Sequence, residues 1–211
     1  MGQPVSRLAA AALAITSLSV PSQGFEASAV ERLRTSNQCA GCDLTEVVLW
    51  NAALGGADLR GAKLHGALLA SATLTGANLA AADLTEAVMS RADLSGADLR
   101  EADATNAELA WARLVKARLG GANLWNANLS DARIAHADLT GARLTYAKLW
   151  RADLSGAVLR GANLKDAHLA DAILTGADLA GAIFCNTTMP DGRTRETAST
   201  GSTSAKPSTD P

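Results

Sequence analysis

Aromatic residues are scarce in this chain of 211 residues: two Phe, four Trp and one Tyr make up 3% of it. Where those few rings stand is therefore informative. Cysteine is nearly absent as well, with three copies, too few to supply a tetrahedral zinc site with a second Cys pair. Neither sign of charge dominates. The formal net charge is −2, and no basic patch of the kind that tracks a phosphate backbone is present. The longest apolar stretch, Leu8 to Val20, has 13 residues, too few to cross a bilayer. No glycine-rich phosphate loop joins a strand to a helix.

Helical and strand periods are missing too. An Ala and a Leu recur every fifth residue, as in "GADLRGAKLHGALLASATLTGANLAAADL" from Gly56 to Leu84. Taking the Leu as a centre, centres fall at 44, 49, 54 and onward to 184, 29 positions without a slip, of which 25 are Leu. The others are Met89, Ala104, Ile134 and Phe184. Two residues before each centre, all 27 positions from Ala52 to Ala182 are alanine. On a helix, a period of five advances the leucines by 140° each time and gives no apolar face. On a flat strand, an odd period sends successive Ala-Leu pairs to opposite sides. The pattern works only if the chain turns a corner once per repeat, which predicts a coiled solenoid. Glycine stands two residues after many centres, as at Gly61 and Gly156, where a corner needs positive φ.

"GADLR", "GANLA", "RADLS" and "GANLW" resemble the A(D/N)LXX signature of the pentapeptide-repeat family, over roughly residues 42–186. The resemblance implies an all-β fold, a right-handed quadrilateral β-helix with four pentapeptides per coil and ladders of residues 20 apart. Four sides come from the resemblance, since the spacing alone also allows three. Twenty-nine repeats make about seven coils, a rod on the order of 34 Å long at roughly 4.8 Å per coil. Each buried Leu contributes roughly 1.5–3 kcal/mol. Ala104 should leave a void, a weak point worth about 2–5 kcal/mol in comparable truncations.

The flanks complete a single repeat domain. "MGQPVSRLAAAALAITSLSVPSQGFEASA", residues 1–29, has one basic residue, Arg7, an apolar core and Ala27-Ser28-Ala29, and reads as a signal peptide cleaved after Ala29. No transmembrane anchor would remain after its removal. Residues 30–41 form an N-terminal cap, with a short helix over 30–38 carrying Val30 and Leu33. Phe184 plugs the far end. The tail, 187–211, is rich in Ser, Thr and Pro and is expected to be disordered. "SNQCAGCDL" also resembles the start of exported cyanobacterial pentapeptide-repeat proteins, which points to the periplasm or a thylakoid lumen. Cys39 and Cys42 lie at the centre and alanine registers, and in an oxidising compartment a disulfide between them would pin the cap. Cys185, far along the rod, should be a free or an intermolecular thiol.

No active site is legible, and the reading is of a non-enzyme without cofactor, metal or small-molecule substrate. His65, His136 and His168 fall on different coils. The Asp and Asn residues before centres (Asp58, Asn78, Asp83, Asp93, Asp98, Asn123, Asp138) repeat along the whole rod, as an outward polar position of the motif would. The best-known activity in the family is mimicry of DNA toward a type II topoisomerase, which needs strong negative charge. Here the repeats carry 16 acidic and 13 basic residues with the signs mixed, so that activity is the alternative, and direct nucleic-acid binding is weaker still. One side differs. The column 48, 68, 88, 108, 128, 148, 168 reads Val, Leu, Val, Glu, Asn, Lys, His. Trp50 and Trp150 follow centres on this side, Trp111 and Tyr146 lie at its corners, and Trp125 is on the adjoining side. Val48, Trp50, Leu68, Val88, Trp111, Trp125, Tyr146 and Trp150 are thus the candidate surface for an unknown protein partner or for self-association.

Overall fold

The computed structural model describes residues 26–196. The leader expected at 1–29 lies outside the described residues except for its last four, and the tail lies outside them from residue 197.

Every isolated bridge, from Gln38↔Asp58 to His168↔Thr188, is parallel and joins residues 20 apart. Four pentapeptides therefore make one turn of the solenoid, which settles the choice between three and four sides. Each side is so short that the ladders are stacks of single-residue bridges instead of extended strands. The hydrogen-bond accounting explains the repeat residue by residue. The N–H of Leu59 donates to the Asn78 carbonyl of the next coil at 2.8 Å and that of Gly61 to Ala80 at 2.9 Å. The N–H of Asp58 donates to Asn37 of the preceding coil at 3.0 Å. That of Ala62 closes the corner on the Leu59 carbonyl at 3.1 Å. One N–H per repeat is left, that of the residue after the centre, and the Asp or Asn before the centre takes it. Asp58 Oδ1 accepts from Arg60 N, Asn78 Oδ1 from Ala80 N, and Asp83 Oδ1 from Thr85 N. The D/N of the motif is a turn-building residue.

The corner residue, two after each centre, is left-handed throughout, with φ between 52° and 71° from Glu46 to Asn186. Eleven of these positions are the glycines expected there, but Ala81, Trp111, His136, Tyr146 and Arg151 adopt the same backbone. No Val, Ile or Thr occupies the corner, in keeping with the steric penalty that a β-branched side chain meets at positive φ. Inside, the Ala and Leu columns from Ala52 to Leu169 are buried throughout, and Ala104 is as buried as its neighbours.

The ends differ from expectation in their limits. Helix α1 runs Ala27–Ser36, earlier at both ends than the 30–38 read from the sequence. It stops because Asn37 takes the left-handed conformation and returns its N–H to the Leu33 carbonyl at 2.9 Å. Ala29, Val30 and Leu33 close the first coil. At the other end Phe184 is buried at a centre position. The disorder expected from residue 187 does not begin there. Thr187–Thr188 (β1) and Thr194–Arg195 (β2) pair antiparallel, Gly192 turning the chain at φ 78°. The ladder carries on to Thr188, and buried Thr187 stands in the alanine register with its Oγ1 donating to the Leu164 carbonyl at 2.7 Å. Composition could not reveal this extension.

Candidate interaction face

Three apolar side chains start the distinctive face. Val48, Leu68 and Val88 are successive rungs of one ladder, and Glu108 follows. Val48 and, beside it, Trp50 are exposed, while Leu68 and Val88 are half-buried. Further along, the polar half of this face is flanked by aromatic corners. On one side Trp125 and Tyr146 meet edge to face, centroids 5.8 Å apart. On the other, the corner ladder reads Trp111, Asp131, Arg151, Asp171. Arg151 joins Asp131 at 3.0 Å and lies over the Trp150 ring at 4.9 Å, and Trp150 Nε1 donates to Asp171 Oδ2 at 3.2 Å. The structure thus brings Trp125 to Tyr146 and holds Trp150 in an ionic frame. Trp111 stands two rungs from the level of Trp150, roughly 10 Å. Trp50 is separate from the other rings, at the cap end. The frame of Asp131, Arg151 and Asp171 was missed in the sequence, although all three occupy corner positions 20 apart.

Trp111 and Tyr146 remain exposed, 53% and 48%, on backbone at φ 64° and 61°. A left-handed backbone costs a side-chain-bearing residue roughly 1–2 kcal/mol, a cost that glycine avoids at 11 of the 29 corners. Tyr146 recovers part of that cost in its contact with Trp125. Two further exposed apolar residues, Ile173 and Ile183, stand on other sides near the C-terminal end.

Apart from these two, the remaining faces carry mostly polar side chains, several of them ion-paired. Asp98 receives Arg100 at 2.6 Å and, from the next coil, Arg118 at 3.3 Å. Lys63 pairs with Asp43 and Arg113 with Asp93 across single coils. The Arg100 guanidinium holds the Asp98 carboxyl below its ordinary pKa, as the Arg60 guanidinium does for Asp58. The hydroxyls of Thr140 and Ser155 lower Asp138 and Asp153 in the same way. These carboxylates are charged parts of turns. His65 Nδ1 lies 2.8 Å from Thr85 Oγ1, and the His136 ring lies over Gly156. Among the described residues no group of three or more His, Cys, Asp or Glu is placed to hold a metal, and no helix is long and apolar enough to cross a membrane. At the cap, Cys39 and Cys42 are joined as a disulfide with Cα atoms 5.2 Å apart, and Cys185 is a half-buried free thiol.

The family model for pentapeptide repeats matches the chain over residues 38–76, 72–109, 107–145, 137–176 and 152–189. No curated protein matches. Among solved structures the chain is similar to HetL, a pentapeptide repeat protein involved in heterocyst differentiation regulation from the cyanobacterium Nostoc, at 36% identity. That match covers 75% of this chain and 78% of HetL, with a TM-score of 0.39. A pentapeptide repeat protein of the Arabidopsis thaliana thylakoid lumen is 30% identical over 47% of this chain and 66% of its own, with a TM-score of 0.35. QnrB1, a plasmid-mediated fluoroquinolone resistance protein, is 23% identical over 63% and 67%, with a TM-score of 0.48. With the repeat model matched across most of its length and the 20-residue ladders it folds into, this chain belongs to the pentapeptide-repeat family.

Proposed function

We propose that the protein is an exported, non-catalytic rod of about seven coils that offers one side to a protein partner in the periplasm or a lumen. The observation that carries this reading is the gathering of exposed apolar and aromatic side chains on and beside one side. Val48, Trp50, Trp111, Tyr146 and Trp150 stand there, five of the seven exposed large apolar side chains among the described residues, while the other sides carry mainly Asp, Arg and Asn with Ile173 and Ile183 at one end. The exposed Trp111 ring at a left-handed corner supports a binding role. Export is supported by the basic-then-apolar leader and by the disulfide pinning the cap, a bond that persists in oxidising compartments. The partner is a second protein, and self-association is the simplest form of it.

Replacing Trp111 and Trp150 together by Ser tests the face. The variant should keep its melting temperature within about 2 °C and lose at least tenfold in self-association by sedimentation, or in affinity for a cross-linked partner. Unchanged assembly and unchanged cross-links would refute the reading.

The alternative, a DNA-mimic modulator of a type II topoisomerase, draws on the column Asp58, Asn78, Asp98, Asp138, Asp178 on the opposite side. Arg118 stands in that column and pairs with Asp98, which weakens the acidic stripe. Inhibition of supercoiling by the purified rod at micromolar concentration would favour it.

A further inference from the structure

The capping helix begins inside the segment read as the leader. Glu26 N–H donates to the Asp43 carbonyl of the first coil at 3.2 Å, and Ala29 N–H to the Glu26 carbonyl at 2.8 Å. Ala29 is fully buried, and its carbonyl lies 3.3 Å from Cys39 Sγ of the disulfide. A cut after Ala29 would remove all of this. Helix α1 would shrink from ten residues to the seven from Val30 to Ser36, less than two turns, and would lose the buried Ala29 that packs it on the first coil. It would also leave an α-ammonium on Val30, which is 8% exposed. That charge would stand at the positive end of the helix dipole, having lost the Glu26 carbonyl that now accepts the Val30 N–H at 3.3 Å.

A signal peptidase reads small residues at the first and third positions before the cut. Ala27 and Ala29 satisfy that rule, and so do Ser22 and Gly24 in "PSQGFEA". Gly24 lies four residues beyond Val20, the end of the apolar stretch, whereas Ala29 lies nine beyond. The nearer site suits an enzyme working at the membrane surface, and it spares every described residue of the cap. We infer that the leader is removed after Gly24, so that the mature protein begins at Phe25 and Ala27-Ser28-Ala29 belongs to the fold. The inference rests on the export reading above.

The test is to produce the full chain in a bacterium with a periplasm, fractionate the cells, and determine the N-terminus and intact mass of the protein. The expected result is a periplasmic protein beginning at Phe25, and a Gly24→Arg variant that yields at least tenfold less of that species. A periplasmic protein beginning at Val30 overturns this inference and leaves export standing. An uncleaved chain confined to the cytosol overturns export, and this inference with it. A second measurement separates structure from processing: chains made directly from Phe25 and from Val30 are melted side by side. The shorter one should melt lower by roughly 5 °C or more, and equal melting would contradict the role given to residues 26–29.

Discussion

Gly61 and Gly156 occupy the same left-handed corner in different surroundings. A methyl group at Gly61 would meet nothing within 4 Å, whereas one at Gly156 would fall 2.5 Å from His136 Nδ1. Gly61→Ala should therefore cost only the backbone penalty, roughly 1–2 kcal/mol. Gly156→Ala should cost more, and His136→Ala in the same chain should bring the loss back to the Gly61 level. Denaturant unfolding of the three variants checks this, and equal losses at the two glycines would contradict it. Ala104 is the other test at this scale. It occupies a buried centre between Leu84 and Leu124 of adjacent coils, so Ala104→Leu should stabilise by about 1–2 kcal/mol if the column leaves the space that a Leu normally fills. At the residue scale the core was legible along most of the rod, because a five-residue period with no slip leaves a single inward assignment; at its end buried Thr187 was not foreseen, and inward Leu174, Ala177 and Leu179 are only half-buried. The corners were half legible: glycine marks a left-handed position, but Trp111 and Tyr146 carry no such mark.

The element of this fold is the corner turn, and its chemistry is acid-sensitive. Asp58, Asp98, Asp138 and Asp153 accept from the backbone N–H two residues on or from a hydroxyl or guanidinium beside it, and are held below the ordinary carboxylate range. Groups with depressed folded values bind fewer protons folded than unfolded. Their contribution is complete at neutral pH and is lost as the pH falls below about 4 and through the folded values. The melting temperature should thus be flat from pH 7 to 5 and decline between about pH 4 and 2. Asp98→Asn, which can still accept the turn hydrogen bond, should shallow that decline. A decline beginning above pH 5 would assign it to other groups. The turn role of Asp and Asn could be suspected from repetition alone, but the N–H that they accept is visible only once the ladder bonds are counted. The terminal elements were less legible. Helix α1 and the β1–β2 hairpin have no repeat to announce them, and their limits depend on Asn37 and Gly192 and on which residues close the coil ends.

For the whole molecule, the four-sided path places positions 48, 50, 68, 88 and 150 on one side and the ion-paired column from Asp58 to Asp178 on the opposite one. The sequence contained this arrangement once a 20-residue turn was assumed. It did not contain the frame in which Arg151 and Asp171 fix Trp150, since ladder positions become neighbours only through the coil. The central claim is that this side, and not the rod at large, meets a partner. Site-specific photo-cross-linking in living cells tests it most directly, with the reactive residue at Ala110 on the proposed side or at Ala80 on the opposite one, both half-buried small residues just after a centre. The account predicts a discrete adduct from position 110, lost when Trp111 and Trp150 become Ser, and none from position 80. Adducts of equal yield from both positions, or from position 80 alone, would contradict it.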